Sequence, residues 1–199
     1  MEPHFQSTPF TTAASSLLAV LHHFKPEIAL SRENEFDIWQ KTATLPTRAS
    51  SIYALATYAA ARGIKPKVVV EKKEYDFPDY RFYRYTKKDI EHAAFTSNLH
   101  LQAAERDCVE IVEEEITFKR IKKELGDGKI LIARLNTKPF RNDKRNTSNF
   151  LVLHGFSEGY FHIIDPAFRA YSIPEKILED SFESLETRKF RDHRVLIFY

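Results

Sequence analysis

The chain has 199 residues, of which 43% are hydrophobic and 29% are charged, and its formal net charge is +2. This composition is typical of a globular protein with a substantial core and excludes a disordered chain. A net charge so close to zero gives no general argument for binding to nucleic acid or to an anionic membrane. We see no secretory signal pattern and no apolar run near the ~20 residues of a membrane-spanning helix.

Cys108 is the single cysteine, so an intrachain disulfide cannot form. We expect it to be a small buried residue on a short strand and not a reactive thiol. The absence of disulfides fits a reducing compartment, and we therefore predict a cytoplasmic protein.

The first third of the chain predicts a compact helical lobe. Thr11 or Thr12 can cap the first helix, Ser31 can cap the second, and Gly63 is suited to end the third. These three helices are predicted over about 13–24, 32–42 and 49–62.

The pattern then changes to short β-branched and apolar runs, which predict strands. The clearest hairpin has its turn at 157–159. The strands are predicted over about 67–71, 108–112, 130–133, 150–156, 160–164, 171–173 and 194–199, with further helices over about 87–106, 117–125 and 174–184. Helices first and antiparallel strands later favour an α+β fold. We predict one domain, with a helical lobe at about 1–64 and a sheet-containing lobe at about 65–199.

Two segments without a regular pattern are candidates for surface roles. The stretch 74–85 is rich in aromatic and charged residues, and its Tyr80 and Tyr83 could line a groove, although covering the core is the commoner use. The stretch 136–148 is polar and basic. We interpret it as a solvated loop in preference to a phosphate-binding one, so nucleic acid is not a favoured partner.

The common cofactor and metal motifs are absent from the sequence. It has no phosphate-binding loop, no dinucleotide-binding glycine pattern and no spaced His/Cys cluster. His22 and His23 are adjacent on a helix and point about 100° apart. His154 and His162 lie on paired strands with one acid at most nearby. We therefore predict neither a metal nor a cofactor.

Three features occur together in chain order. Gln6 lies six residues before Thr12, where a small-residue turn leads into an apolar helix. An apolar strand that begins at Asn149 ends in Gly155, and Asp165-Pro166 follows the hairpin. These features resemble the papain-like cysteine peptidases that process bacteriocin leaders, and the resemblance covers most of the chain. It implies a papain-like fold with an N-terminal helical lobe packed against a C-terminal antiparallel β-sheet.

The resemblance also implies a role for each position. In that family a glutamine precedes the catalytic cysteine by six residues and a histidine opens the strand, so Thr12 stands at the cysteine position and Asn149 at the histidine position. Gln6 would donate to the oxyanion and Asp165 would orient the histidine. A threonine hydroxyl needs a base, and the asparagine amide cannot act as one at neutral pH. His154 lies five positions further along the strand and should face away from the site. This predicts that peptidase activity has been lost.

Each of these residues also has a purely structural interpretation. Thr12 can cap a helix, Gln6 can bond loop backbone, Asn149 can satisfy a strand end, and Asp165 can open a turn.

We therefore carry three functional hypotheses. The first is a non-catalytic homologue that binds a peptide or protein segment in the cleft between the lobes, by backbone pairing along a strand edge. The second is a thiol-independent peptidase, amidohydrolase or acyl-transfer enzyme that uses Thr12. The third is a structural subunit of an oligomer. If the first is right, Thr12 and Asn149 should face each other across a cleft, and Thr12→Cys with Asn149→His should rebuild a triad with Asp165.

Overall fold

The computed structural model describes residues 1–74, 85–189 and 191–199, and the elements below are those of this part of the chain. The helices are α1 (Thr12–Phe24), α2 (Arg32–Thr42), α3 (Ile52–Ala60), α4 (Lys87–Arg106), α5 (Phe118–Gly126), α6 (Lys138–Arg141) and α7 (Glu175–Thr187). The strands are β1 (Ala43–Thr44), β2 (Ala49–Ser50), β3 (Lys67–Val70), β4 (Glu110–Glu113), β5 (Ile130–Asn136), β6 (Ser148–Ser157), β7 (Tyr160–Asp165), β8 (Arg169–Pro174) and β9 (Arg194–Phe198).

A seven-stranded sheet forms the centre of the molecule, in the order β4-β3-β9-β5-β6-β7-β8. Its pairs are antiparallel except β3 and β4, which are parallel. The predicted antiparallel sheet is therefore confirmed, and the parallel pairing of this edge strand is a feature that the sequence pattern did not indicate. Parallel neighbours require a crossover, and α4 lies in the connection between the two strands. Helices and a mostly antiparallel sheet confirm the predicted α+β class.

Hydrophobic cores cover both faces of the sheet, because successive side chains of a strand point to opposite faces. On β6, Phe150 and Val152 belong to the core that contains the buried faces of α1 and α3. Leu151 and Leu153 belong to the second core, which includes residues of α5 and α7. Leu101 of α4 lies in the first core with α1 and α3. The predicted lobe boundary near residue 64 stays a prediction.

Local capping signals explain where several helices begin. The Ser31 side chain accepts a hydrogen bond from the Asn34 backbone amide, and Thr86 forms a capping box with Asp89 at the start of α4. Helix α3 begins later than predicted because β2 pairs with β1 in a separate two-stranded sheet.

Cys108 is exposed, which corrects the prediction that it is buried on a strand. Its φ of 55° lies in the left-handed region, so it ends α4 and does not begin β4. Two backbone hydrogen bonds close that helix end, from Cys108 to Glu105 at 3.2 Å and from Val109 to Ala104 at 3.0 Å.

The aromatic segment 74–85 falls almost wholly outside the described residues, and so do its candidate residues Tyr80 and Tyr83. At its end, the Tyr85 hydroxyl donates to the Thr47 carbonyl oxygen at 2.8 Å. Within the described ranges, we find no helix with the length and apolar character needed to cross a membrane.

Candidate functional site

The start of α1 brings Thr12 and Gln6 into direct contact. Thr12 is the first residue of the helix and only 6% exposed, and its hydroxyl donates to Gln6 Oε1 at 2.5 Å. Thr11 occupies the N-cap position, but its side chain bonds Thr8 and makes no capping hydrogen bond. The Thr12 hydroxyl is therefore directed at Gln6, and the helix-cap interpretation does not describe it.

A buried carboxylate holds the segment that carries Gln6. Glu35 on α2 is 0% exposed and accepts hydrogen bonds from the Ser7 amide at 2.8 Å, the Ser7 hydroxyl at 2.7 Å and His4 Nε2 at 3.0 Å. Burial alone would raise the pKa of the Glu35 carboxyl, but hydrogen bonds from Thr11, Ser7 and His4 hold it below its usual value. The His4 imidazole is therefore hydrogen-bonded to the Glu35 carboxylate.

The backbone of the same segment is tied to the end of the hairpin. The Gln6 amide donates to the Pro166 carbonyl oxygen at 2.9 Å. Gln6 is therefore held by the start of α1 and by the Asp165-Pro166 turn, while its neighbours His4 and Ser7 are bound to Glu35 of α2.

Arg141 is a central residue of the site that the sequence analysis did not identify. Its Nε donates to Asp165 Oδ2 at 2.6 Å and its Nη2 donates to Asp165 Oδ1 at 2.5 Å, a bidentate pair. Asp165 is 0% exposed and the Arg141 side chain is 12% exposed. The carboxylate that the resemblance assigned to orienting a histidine is thus bound by a guanidinium.

Arg141 also holds Asn149. With the Asn149 side-chain amide turned so that both its oxygen and its nitrogen are satisfied, the oxygen accepts from Arg141 Nη1 at 3.1 Å and from Nη2 at 3.2 Å, and the nitrogen donates to the Ser148 carbonyl oxygen at 3.0 Å. The Arg141 guanidinium therefore bridges Asn149 and Asp165. An asparagine suits this position, since a positively charged neighbour favours a neutral amide oxygen over a protonated imidazole.

The loop that carries Arg141 is more ordered than predicted. Residues 136–148 were expected to form a solvated loop, yet they contain α6. Asn136 Nδ2 donates to the Ser184 hydroxyl at 2.8 Å, and the Thr137 amide donates to the Thr147 carbonyl oxygen at 2.8 Å. These bonds close the loop at its base and aim Arg141 at Asp165.

Thr12 and Asn149 line one cavity of about 370 Å³. The described residues that line it are Pro9, Phe10, Thr12, Ala13, Thr44, Thr47, Arg48, Ala49, Ser50, Ser51, Ile52, Ser97, Arg134, Thr147, Ser148, Asn149, Phe150, Lys189, Arg191 and Arg194. This lining, as far as the structure describes it, has no carboxylate, imidazole or thiol. Gln6 and Asp165 are not among the residues that line the cavity. Gln6 contacts Thr12, and Asp165 is connected to Asn149 through Arg141.

His154 does not line the cavity. Burial, together with the charges of the amino terminus and His162, lowers the pKa of His154 to about 4, so it is neutral at pH 7. The charge of His23 also lowers the pKa of His154. His23 lies near the C-terminal end of α1, whereas Thr12 is at the N-terminal end of that helix.

The arrangement of helices against a mostly antiparallel sheet, with a cavity at the start of α1, is that of the papain-like peptidases. The structure is similar to the crystal structure of a double-glycine-motif protease from an AMS/PCAT transporter in complex with the leader peptide, with a TM-score of 0.50 and 16% sequence identity over 99% of this chain and 90% of that one. It also matches the Pseudomonas avirulence protein AvrPphB, with a TM-score of 0.35 and 11% identity over 94% of this chain and 89% of that one.

The chain belongs to the Peptidase C39-like family, whose sequence profile matches residues 3–190. No curated protein sequence matches it significantly. The family and the papain-like fold are those that the sequence resemblance predicted.

Proposed function

We propose that this peptidase-related protein binds a peptide or protein segment in the cavity beside Thr12 and does not cleave it. The observation that carries the proposal is the position of Arg141, which occupies both carboxylate oxygens of Asp165 and the amide oxygen of Asn149. A papain-like proton transfer needs an imidazole oriented by an acceptor at this place. Here the acceptor is neutralised in an ion pair.

The chemistry of Thr12 supports the same conclusion. A hydroxyl becomes a nucleophile when a positioned base removes its proton. The Thr12 proton is instead directed at an amide oxygen of Gln6, which is not a base at neutral pH.

The volume of the cavity and the strand beside it suit an extended segment. Its volume of about 370 Å³ lies within the ~300–1,000 Å³ of ligand pockets. Ala49 and Ser50 of β2 line it, and among the described residues β2 pairs with β1 alone in its small sheet. An added strand can pair with such a free edge. The structurally similar double-glycine-motif protease was crystallised with a leader peptide, which is a precedent for a peptide ligand on this fold.

The test measures binding and cleavage separately. A pool of fluorescein-labelled random peptides about ten residues long should bind the protein by anisotropy, while mass spectrometry of the same mixture should detect no cleaved product. Ala49→Trp, which fills the cavity from an exposed position of its lining, should abolish binding. Ala167→Trp, at an exposed position outside that lining, is the matched control and should bind as the wild type does.

Two results would overturn the proposal. Equal binding by Ala49→Trp and wild type would show that the peptide binds at a surface outside this cavity. Cleavage that is lost in Thr12→Ala would make the protein a threonine-dependent enzyme, and a threonine-directed electrophile should then label Thr12.

A further inference from the structure

The hairpin of β6 and β7, together with β8, places a histidine between two serines at the surface of the sheet. In the strand register His162 of β7 lies opposite Gly155 of β6 and opposite Ser172 of β8. Ser157 follows Gly155 by two residues, so its side chain is directed to the same face of β6 as that position. The pairing of three strands therefore brings together three polar side chains that are not adjacent in the sequence.

Two hydrogen bonds join Ser157, His162 and Ser172 into what we call the serine–histidine relay. Nε2 of His162 lies 2.8 Å from the Ser157 hydroxyl oxygen, and Nδ1 lies 2.7 Å from the Ser172 hydroxyl oxygen. An imidazole with its proton on Nδ1 donates to Ser172 and accepts the hydrogen bond of Ser157 at Nε2. In a catalytic triad, likewise, one ring nitrogen faces the nucleophile and the other faces an orienting acceptor.

Gly155 leaves room for the imidazole. A Cβ atom at this position would lie 3.0 Å from Cδ2 of His162, so a larger residue would force the ring to shift. The centre of the His154 ring is 6.1 Å from that of His162, and its pKa of about 4 keeps it neutral at pH 7. A neutral neighbour does not repel a proton on His162. Because Ser157 is an exposed residue, a small molecule can reach its hydroxyl group.

The turn that follows Ser157 supplies donors for a developing negative charge. Glu158 and Gly159 have φ angles of 51° and 78°, the left-handed conformation of a two-residue hairpin turn. Neither of their backbone amides donates a backbone hydrogen bond within the part of the chain that the structure describes. Successive free amides in a turn can bind an anion, and the amide that follows a nucleophilic serine is a known type of oxyanion donor.

We infer that Ser157 is the nucleophile of an exposed acyl-transfer site that hydrolyses small uncharged esters with a good leaving group. The Ser157 hydroxyl oxygen attacks the ester carbonyl carbon while His162 Nε2 takes its proton, and the turn amides bind the oxyanion. The bond to the leaving oxygen then breaks, and that oxygen receives the proton from Nε2. Water attacks the acyl-serine with His162 as base, which releases the acid and restores Ser157.

The surroundings of Ser157 define the substrate class. Glu158 is exposed and acidic, and its charge disfavours an anionic ester. The site is open and does not hold a long substrate, and a peptide nitrogen must be protonated before it can leave. None of the three relay residues lines the cavity beside Thr12 as far as the structure describes that lining. This activity therefore goes beyond peptide binding and can be tested independently of it.

The experiment measures the hydrolysis of p-nitrophenyl acetate by the full chain. It uses a Cys108→Ser background, because Cys108 is an exposed thiol that also attacks esters. We expect turnover, and an acetyl group on Ser157 in mass spectra of the acid-quenched mixture. Ser157→Ala and His162→Gln should each lower the rate about tenfold or more. Ser157→Ala should also abolish labelling by a fluorophosphonate, which an activated serine attacks at phosphorus with loss of fluoride.

Controls separate the relay from ordinary surface chemistry. His92→Gln and Thr187→Ala remove an exposed imidazole and an exposed hydroxyl group at other places, and both should keep the wild-type rate. Ser172 is a positioning residue, because it contacts the imidazole and not the ester. Ser172→Ala should therefore lower the rate, and Ser172→Thr, which keeps the hydroxyl group, should restore it.

Several outcomes would overturn the inference. Acetylation or fluorophosphonate labelling at Ser172 in place of Ser157 would reverse the roles of the two serines. Equal rates in wild type, Ser157→Ala and His162→Gln would show that the relay is only structural. Peptide binding in the absence of ester hydrolysis would overturn this inference alone, whereas ester hydrolysis that depends on Ser157 in the absence of peptide binding would overturn only the proposed function.

Discussion

Arg141 and Asp165 form a bidentate ion pair in which the carboxylate is fully buried. Removing one partner of such a pair leaves the other charge without compensation. We predict that Arg141→Ala lowers the free energy of unfolding by about 3–5 kcal/mol, measured by urea unfolding. Arg145→Ala, an exposed arginine of the same loop, should change it by less than about 0.5 kcal/mol. Equal effects of the two variants would show that the pair does not stabilise the fold.

The same pair decides what is needed to rebuild a catalytic site. Thr12→Cys with Asn149→His supplies a thiol and an imidazole, but Asp165 stays bound to Arg141. We predict that this double variant has the same thiol pKa as Thr12→Cys alone, and that adding Arg141→Gln lowers it by freeing Asp165 for the imidazole. The pH dependence of iodoacetamide alkylation measures this pKa without a known substrate.

The alkylation experiment requires a Cys108→Ser background, because Cys108 is an exposed free thiol. Thr12→Cys alone is the reference. A lowered thiol pKa in the double variant, without the Arg141 change, would show that Arg141 does not block the site. No shift in the triple variant would argue against a papain-like geometry between residues 12, 149 and 165.

At the scale of elements, His193 connects the start of β9 to α7 and to the end of β3. Its Nδ1 lies 2.8 Å from Glu71 Oε1 and its Nε2 lies 3.1 Å from the Phe182 carbonyl oxygen, so both ring nitrogens face acceptors. The ring also stacks on Phe182 at 3.8 Å. Burial alone would lower the pKa of His193, but hydrogen bonds to Glu71 and Phe182 raise it above its ordinary value of 6.5.

A raised pKa in the folded state means that the protonated imidazole stabilises the fold. This contribution is present below about pH 6.5 and is lost as the pH rises through the higher pKa of the folded state. We predict that the free energy of unfolding falls between about pH 6 and about pH 9 more steeply in the wild type than in His193→Gln. His92→Gln, at an exposed position on α4, should keep the wild-type slope. A parallel pH dependence in wild type and His193→Gln would contradict the assignment.

The elements were predictable where their signals are local. Ser31 and Thr117 cap the helices that they were expected to cap, and the hairpin of β6 and β7 has the predicted turn. The predictions were wrong where contacts between residues far apart in the sequence determine the structure. The pair of Arg141 and Asp165 joins residues that are 24 positions apart, so the basic loop gave no sign of a buried guanidinium. The parallel pairing of β3 and β4 likewise depends on α4 and not on the pattern of either strand.

At the scale of the whole molecule, the sheet lies between two hydrophobic cores. Strand β6 contributes Val152 to one core and Leu153 to the other, and both side chains are 0% exposed. The N-terminal helices therefore pack on strands whose opposite faces form the second core. Neither core has a sheet of its own, and so the two cores should lose their structure together.

We predict that unfolding in urea is a single cooperative transition. Trp39 is the only tryptophan, and it packs against the first core, so its fluorescence reports on that side. Leu153→Ala, in the second core, should cost about 2–5 kcal/mol. It should shift the fluorescence midpoint as far as the midpoint of the far-ultraviolet circular dichroism. Leu99→Ala, at a side chain that is 47% exposed, should leave both within about 0.5 kcal/mol of the wild type. If Leu153→Ala shifted the dichroism midpoint and left the Trp39 fluorescence midpoint unchanged, the chain would consist of lobes that fold independently.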